Sequence, residues 1–232
     1  MTKSSEKKLK REAKKQEAKR RQQIQKSLVM AFVIVMIPIA LYVFYQGLFG
    51  GAPVYPPDQV SATDHVQGIE EAPLTITVYG DFQCPNCATE ANLISQAWPR
   101  IQDRVRLVFR HYPLDTYPHS FEAARYAEAA GRQDAFWELY SLFYGDQASW
   151  AVLPDATVAF EDYAAQLGLD IEQLRADAQL PEIREKILAD QRGGNRAGVR
   201  STPTMFFNGE LMLRNPQTAS ELIQMINDFL SE

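Results

Sequence analysis

Hydrophobic and polar positions along this chain fall into three regimes. From Leu28 to Phe49, LVMAFVIVMIPIALYVFYQGLF, no charge interrupts the apolar run. At ~1.5 Å per residue a helix of this length reaches about 33 Å, enough for the hydrocarbon core of a bilayer. Pro38 would kink it, which membrane-spanning helices tolerate, and Tyr42 and Tyr45 suit an interface. Residues 50–62, GGAPVYPPDQVSA, have no periodicity and predict a Pro/Gly-rich tether.

Regular alternation begins at residue 73. Leu74–Tyr79 (LTITVY) is β-branched and aromatic and predicts a strand. Gly80 to Gln83 turn the chain, and Cys84-Pro85-Asn86-Cys87 opens a helix to about Pro99, with Pro85 at the first helical position where its missing N–H costs nothing. Val105–Arg110 (VRLVFR) predicts a second strand, so that strand, helix and strand form a right-handed βαβ unit with parallel strands. Helical patterns follow over Ser120–Ala130 (stopped by Gly131), Gln133–Tyr144 and Thr157–Leu167. Another starts at Asp170 with Gln173 as a capping-box pair, and one runs from Pro181 toward Gly193. Thr204–Phe207 and Leu211–Leu213 flank Asn208–Gly209, a strong hairpin signal. A last helix spans about Thr218–Leu230. Phe82, Trp98, Trp137 and Phe206 are expected in the core. No internal repeat is visible.

Charge sharpens this division. Residues 1–27 carry eleven Lys/Arg against three Glu, whereas residues 50–232 carry thirteen Lys/Arg against twenty-six Asp/Glu. The arm has almost no apolar stripe, so it is a solvated helix or a disordered segment that could rest on anionic headgroups. Cations ahead of an apolar span place residues 1–27 in the cytoplasm, residues 28–49 across the membrane and the rest outside. A cleaved signal peptide would have a shorter core and an A-x-A-like site, which Gly50–Gly51–Ala52–Pro53 matches poorly. The acidic folded part argues against nucleic-acid binding.

Only two cysteines occur, three positions apart. Disulfide exchange needs a thiolate, hence a depressed pKa and an accessible sulfur. Cys84 at a helix N-terminus meets unpaired N–H groups and the positive end of the helix dipole. Cys87, one turn later on the same face, is expected to be the more buried, resolving thiol. A passive disulfide closing so small a loop would stabilise little. Zinc would need two further ligands, and only His65, His111 and His119 remain, widely scattered. Glu90, a turn beyond Cys87, could relay its proton, but its helix position is read as solvated. Asp81 is explained equally well by turn chemistry, and His111 and His119 are read as structural or surface residues.

The segments DFQCPNC, FRHYPL, PHSFEAARYAEAAGRQDAFWELYSLFY and GVRSTPTMFFNG, in that order, resemble the DsbA-like thioredoxin family, in particular its membrane-anchored, BdbD-like branch. The resemblance covers roughly Asp64 to Leu230. It implies an α/β thioredoxin-like domain over residues 63–232 with a helical insertion at about 115–195, preceded by the transmembrane helix. It implies catalysis by Cys84 and Cys87, tuned by Pro85 and Asn86, and a cis peptide bond at Pro203 whose loop, with Thr202, binds substrate. Ser201 stands where relatives commonly carry Gly. The implied activity is disulfide introduction or exchange in reduced secreted proteins, with a membrane re-oxidant of the DsbB or VKOR type and no metal or organic cofactor. A reductase or isomerase of the same fold, or a tethered chaperone-like binding domain, remain the alternatives at this stage.

Overall fold

The computed structural model describes residues 56–231 and, ahead of them, residues 21, 25, 26, 30 and 32–41. The chain divides into two units, Met1–Ala52 and Pro53–Glu232. In the first, residues 32–41 are helical and their apolar side chains are exposed. Among the described residues no helix is long and apolar enough to cross a membrane. The rest of the span expected at 28–49, most of the basic arm and residues 50–55 of the expected tether lie outside the described residues.

The second unit is built on five strands, β1 (His65–Gly68), β2 (Leu74–Gly80), β3 (Val105–His111), β4 (Thr204–Phe207) and β5 (Glu210–Leu211), in the spatial order β1-β3-β2-β4-β5. The parallel pair is β2 and β3, in register from Leu74 opposite Val105 to Gly80 opposite His111. Helix α1 (Pro85–Ile101) joins them, the βαβ unit expected from the pattern. The other neighbouring pairs are antiparallel. Six helices make the insertion, α2 (Ser120–Gly131), α3 (Phe136–Gly145), α4 (Gln147–Trp150), α5 (Thr157–Gln166), α6 (Ile171–Ala178) and α7 (Pro181–Ala197), and α8 (Ala219–Ser231) closes the unit.

The alternation of β2 explains the layering. Leu74, Ile76 and Val78 point to one face, where Ile94, Ala97 and Ile101 of α1 and Leu222 and Ile226 of α8 meet them. Tyr79 points to the other, with Phe206, Tyr112 and Val199. Helix α7 lies close there because Gly194 leaves room. A Cβ on it would stand 2.9 Å from the Tyr79 ring. A second core of α2, α3 and Phe82 surrounds the cysteines.

Several expected boundaries shift, each for a local reason. The helix expected from Gln133 starts at Phe136, because Asp134 takes the left-handed conformation (φ 59°) in the turn after α2. The strand expected at Leu211–Leu213 is only Glu210–Leu211, and Leu213 is 95% exposed. Asn208 and Gly209 both have positive φ, 45° and 87°, as the hairpin turn requires. Trp98 and Trp137 are half-buried rather than core, whereas Phe82 and Phe206 are buried as expected. Regular structure also begins earlier than expected, with edge strand β1. The segment leading into it is held by the buried Arg110, which donates to Asp64 at 3.1 and 2.8 Å, to the carbonyls of Pro56 and Gln59, and to the Tyr79 hydroxyl.

Candidate active site

The site forms where β2 ends. Cys84 caps α1 in extended conformation (φ −74°, ψ 121°), and Pro85 occupies the first turn. The approach is fixed by Asp81, whose carboxylate accepts from the backbone N–H of Gln83 (2.7 Å), that of Leu114 (2.8 Å) and the Ser120 hydroxyl (2.5 Å). Burial raises the Asp81 pKa and these bonds oppose the rise. Gln83 donates to the Ala151 carbonyl and accepts from the His119 N–H, and Gln147 donates to the carbonyls of Phe82 (2.6 Å) and Cys84 (3.0 Å). The insertion therefore grips the loop carrying the cysteines through hydrogen bonds to the buried Asp81, Gln83 and the carbonyls of Phe82 and Cys84.

Both cysteines are free thiols, and both are buried, Cys84 at 4% and Cys87 at 3% exposure. The expected contrast in exposure is therefore not what separates them. Protonation is. The Cys84 thiolate accepts from the Cys87 thiol, and despite opposing burial it is further held by the neighbouring Thr202 and by the N–H groups of Cys87 and Asn86, so that its pKa falls to about 5. As a thiol it donates to the Thr202 carbonyl at 3.5 Å. Burial, followed by its role as donor to Cys84 and by that thiolate's charge, pushes Cys87 far above the ordinary thiol range. The N–H of Asp81 donates to Cys87 Sγ at 3.4 Å. One sulfur thus favours the thiolate, the form that disulfide exchange uses, and the other stays a thiol.

The peptide bond Thr202–Pro203 is cis, as the family resemblance implied, and it brings Thr202 onto Cys84. A cleft of about 360 Å³ opens beside it, bordered by Asn86, Glu90, Ser201, Thr202, Pro203 and Asn215. The structure therefore brings together all six expected site residues. Three further participants were missed or misread. Gln147 carried no recognisable motif. Tyr117 lies beside Cys84, and burial, followed by the Cys84 charge and its hydrogen bond, raises its pKa. Glu90, read as solvated, is 3% exposed. It corrects that expectation: α3 and α8 both pack on α1, and Glu90 borders the cleft with Thr202 and Pro203.

The histidines bond groups other than the two sulfurs. His111 is buried and bonds Glu128 at 2.8 Å, His65 bonds Glu128 at 3.0 Å, and His119 bonds the Leu153 carbonyl. Ligand atoms of His111, Glu128 and Asp190 lie within 4.8 Å of one another, but the Lys186 ammonium already stands among them, 2.6 Å from Asp190 and 3.9 Å from Glu128. Burial opposes the Glu128 charge, yet Lys186 and the bonds to His111 and His65 hold its pKa well below the ordinary range.

The family model described as "Thioredoxin" matches residues 60–228. The chain belongs to this thioredoxin family. Among solved structures it is similar to a thioredoxin-like oxidoreductase from Silicibacter pomeroyi, with TM-score 0.64 and 24% identity over 74% of this chain and 95% of that one. It is also similar to oxidised BdbD from Bacillus subtilis, with TM-score 0.64 and 20% identity over 78% and 99% of the two chains. At these identities the likeness is one of fold. Curated relatives include the Na(+)/H(+) antiporter NhaA 1 of Mycolicibacterium gilvum, 34% identical over 70% of this chain, and that of Salinispora arenicola, 38% identical over 63%. This chain spans only 26% and 22% of those two proteins.

Proposed function

We propose that the protein is a thiol–disulfide oxidoreductase that exchanges disulfides with other proteins through Cys84 and Cys87. The observation that carries this reading is the opposed protonation of two sulfurs one helical turn apart, beside a cleft edged by Thr202–Pro203. In the oxidised form a substrate thiolate attacks Cys84 Sγ. The Cys84–Cys87 bond breaks, its electron pair stays on Cys87, and a mixed disulfide forms on Cys84. A second substrate thiolate then attacks the substrate sulfur of that bond and expels Cys84 as a thiolate. The substrate has lost two electrons and the enzyme has gained them. The low Cys84 pKa makes it a good leaving group, and an extended peptide can pair with the Thr202 backbone in the cleft.

The redox group is the cysteine pair itself, so the reaction needs no metal or organic cofactor. The substrates are reduced or unfolded secreted proteins, and a membrane partner of the DsbB or VKOR type restores the disulfide. Eleven cations ahead of the uncharged stretch 28–49 support a single-pass anchor with the catalytic domain outside the cytoplasm.

A Cys87→Ala variant in intact cells tests activity and location together. It should accumulate mixed disulfides with secreted proteins, and Cys84 released from them should be labelled by a membrane-impermeant thiol probe, after opening any outer membrane. Trapping mainly by Cys84→Ala would reverse the roles of the two cysteines. Labelling only after lysis of the inner membrane would overturn the location.

A further inference from the structure

Glu90 stands one turn beyond Cys87 on α1 with both carboxylate oxygens buried and without a hydrogen-bond partner. Such a group is costly, since buried carboxylates ordinarily find donors. Asp81, for comparison, has three. The groups facing Glu90 are few. Cys84 and Cys87 lie at the start of its own helix, and Cys84 acts on it electrostatically. From α3 come Tyr140, whose phenol senses both Glu90 and Cys87, and Tyr144, which senses Cys87. Around the cleft that Glu90 borders stand Thr202, Pro203, Asn215 and Gln217, all uncharged. No cation stands among these groups. Burial, then the Cys84 charge, raises the Glu90 pKa to about 8, near the value at which a group serves best as both acid and base at neutral pH.

The proposed reaction leaves Cys87 with a problem. Attack on Cys84 expels Cys87 as a thiolate into a site that strongly disfavours it, and re-oxidation requires the same buried thiol to lose its proton. We propose that Glu90 is the proton donor and acceptor for Cys87, exchanging through the Thr202–Pro203 cleft that it borders. When the Cys84–Cys87 bond breaks, the Glu90 carboxylic acid passes its proton to the Cys87 thiolate and becomes a carboxylate. When a mixed disulfide on Cys84 is resolved, the carboxylate takes the proton from Cys87, whose sulfur attacks Cys84 and expels the partner's thiolate. Glu90 then returns the proton to water in the cleft. Helix spacing puts residues three apart about 5–6 Å between Cβ atoms, within reach through one water.

This inference rests on the oxidoreductase reading, and its test separates the two. The reduced full-length protein is mixed with oxidised glutathione between pH 5 and 9. Formation of the glutathione–Cys84 disulfide is timed separately from its resolution by Cys87, in the wild type, Glu90→Gln and Glu90→Asp. The first step should be similar in all three. Resolution should be slower in Glu90→Gln by about 10²-fold near neutral pH, the usual scale of one acid–base group, and partly restored in Glu90→Asp. In the wild type the resolution rate should rise with pH and level off near or below 8, because the mixed disulfide removes the Cys84 charge that helps hold the Glu90 pKa up. That bend should coincide with titration of the Glu90 carboxyl carbon by NMR, a comparison that needs no variant to fold. Resolution in Glu90→Gln with the wild-type rate and bend, or a wild-type bend that does not follow the carboxyl titration, would overturn the proposal. Absence of any glutathione disulfide on Cys84 in the wild type would instead overturn the oxidoreductase reading.

Discussion

Cys84 owes its low pKa to donors that converge on one sulfur, and only some of them belong to the helix terminus. The Cys87 thiol ranks first, with Thr202 and the N–H groups of Cys87 and Asn86 behind it. Asn86 contributes its backbone, while its exposed side chain borders the cleft as a neutral amide. A histidine at this position could add a positive charge or a stronger donor. Asn86→His should therefore lower the Cys84 pKa further and stabilise the reduced form, making the disulfide a stronger oxidant. One charge-assisted bond is worth on the order of 1.4 kcal/mol, which for this two-electron couple is about 30 mV. A glutathione-buffer titration of both proteins should find the variant more positive by tens of millivolts, and an equal or lower value would mean that the side chain between the cysteines does not set the potential. The cysteines were legible in sequence because their spacing and Pro85 are local signals. Glu90 was legible as a possible relay but its burial was not, because a glutamate on a helix carries no mark of which neighbour will cover it. Tyr140 and Tyr144 lie some fifty residues further along.

Elements were legible wherever their cause was local. The β-branched runs at β2 and β3 and the Asn208–Gly209 turn announce themselves. Thr218 marks the start of α8 by accepting from the Glu221 N–H at 3.1 Å. Strand β1 was missed because His65-Val66-Gln67-Gly68 has no alternation of its own, and its order comes from distant partners. Trp137 donates to the Val66 carbonyl at 3.0 Å, and Arg110 binds Asp64 and the carbonyls of Pro56 and Gln59. Arg110 and Asp64 are both fully buried as a pair, so removing one partner leaves an uncompensated charge. Arg110→Leu should cost about 3–5 kcal/mol of folding free energy in urea denaturation, and adding Asp64→Leu should recover part of it. A loss below about 1 kcal/mol, the range of an exposed pair, would show that this segment contributes little to the domain.

For the whole molecule, the proposed exchange rests on the fold's preference for the Cys84 thiolate. The linkage has a definite sign. The folded Cys84 pKa, about 5, lies below the unfolded value near 8.5, so the thiolate's contribution to stability is fully present above that unfolded value. It is lost as pH falls through 5. The oxidised form has no such thiolate and no such gain. The βαβ layout and the hairpin could be read from local pattern, but the cleft came only from the family resemblance, because it joins Thr202–Pro203 to Cys84, 118 residues earlier. The measurement that tests the central claim most directly is the reduction potential of the Cys84–Cys87 couple in the full-length protein at pH 7. Structural disulfides lie below about −300 mV and the strong oxidant DsbA near −120 mV. This protein should equilibrate reversibly with glutathione at a potential between those limits, on the milder side of DsbA because Asn86 is neutral. A potential below about −300 mV, or no reversible equilibrium, would mark Cys84–Cys87 as a structural pair and contradict the account.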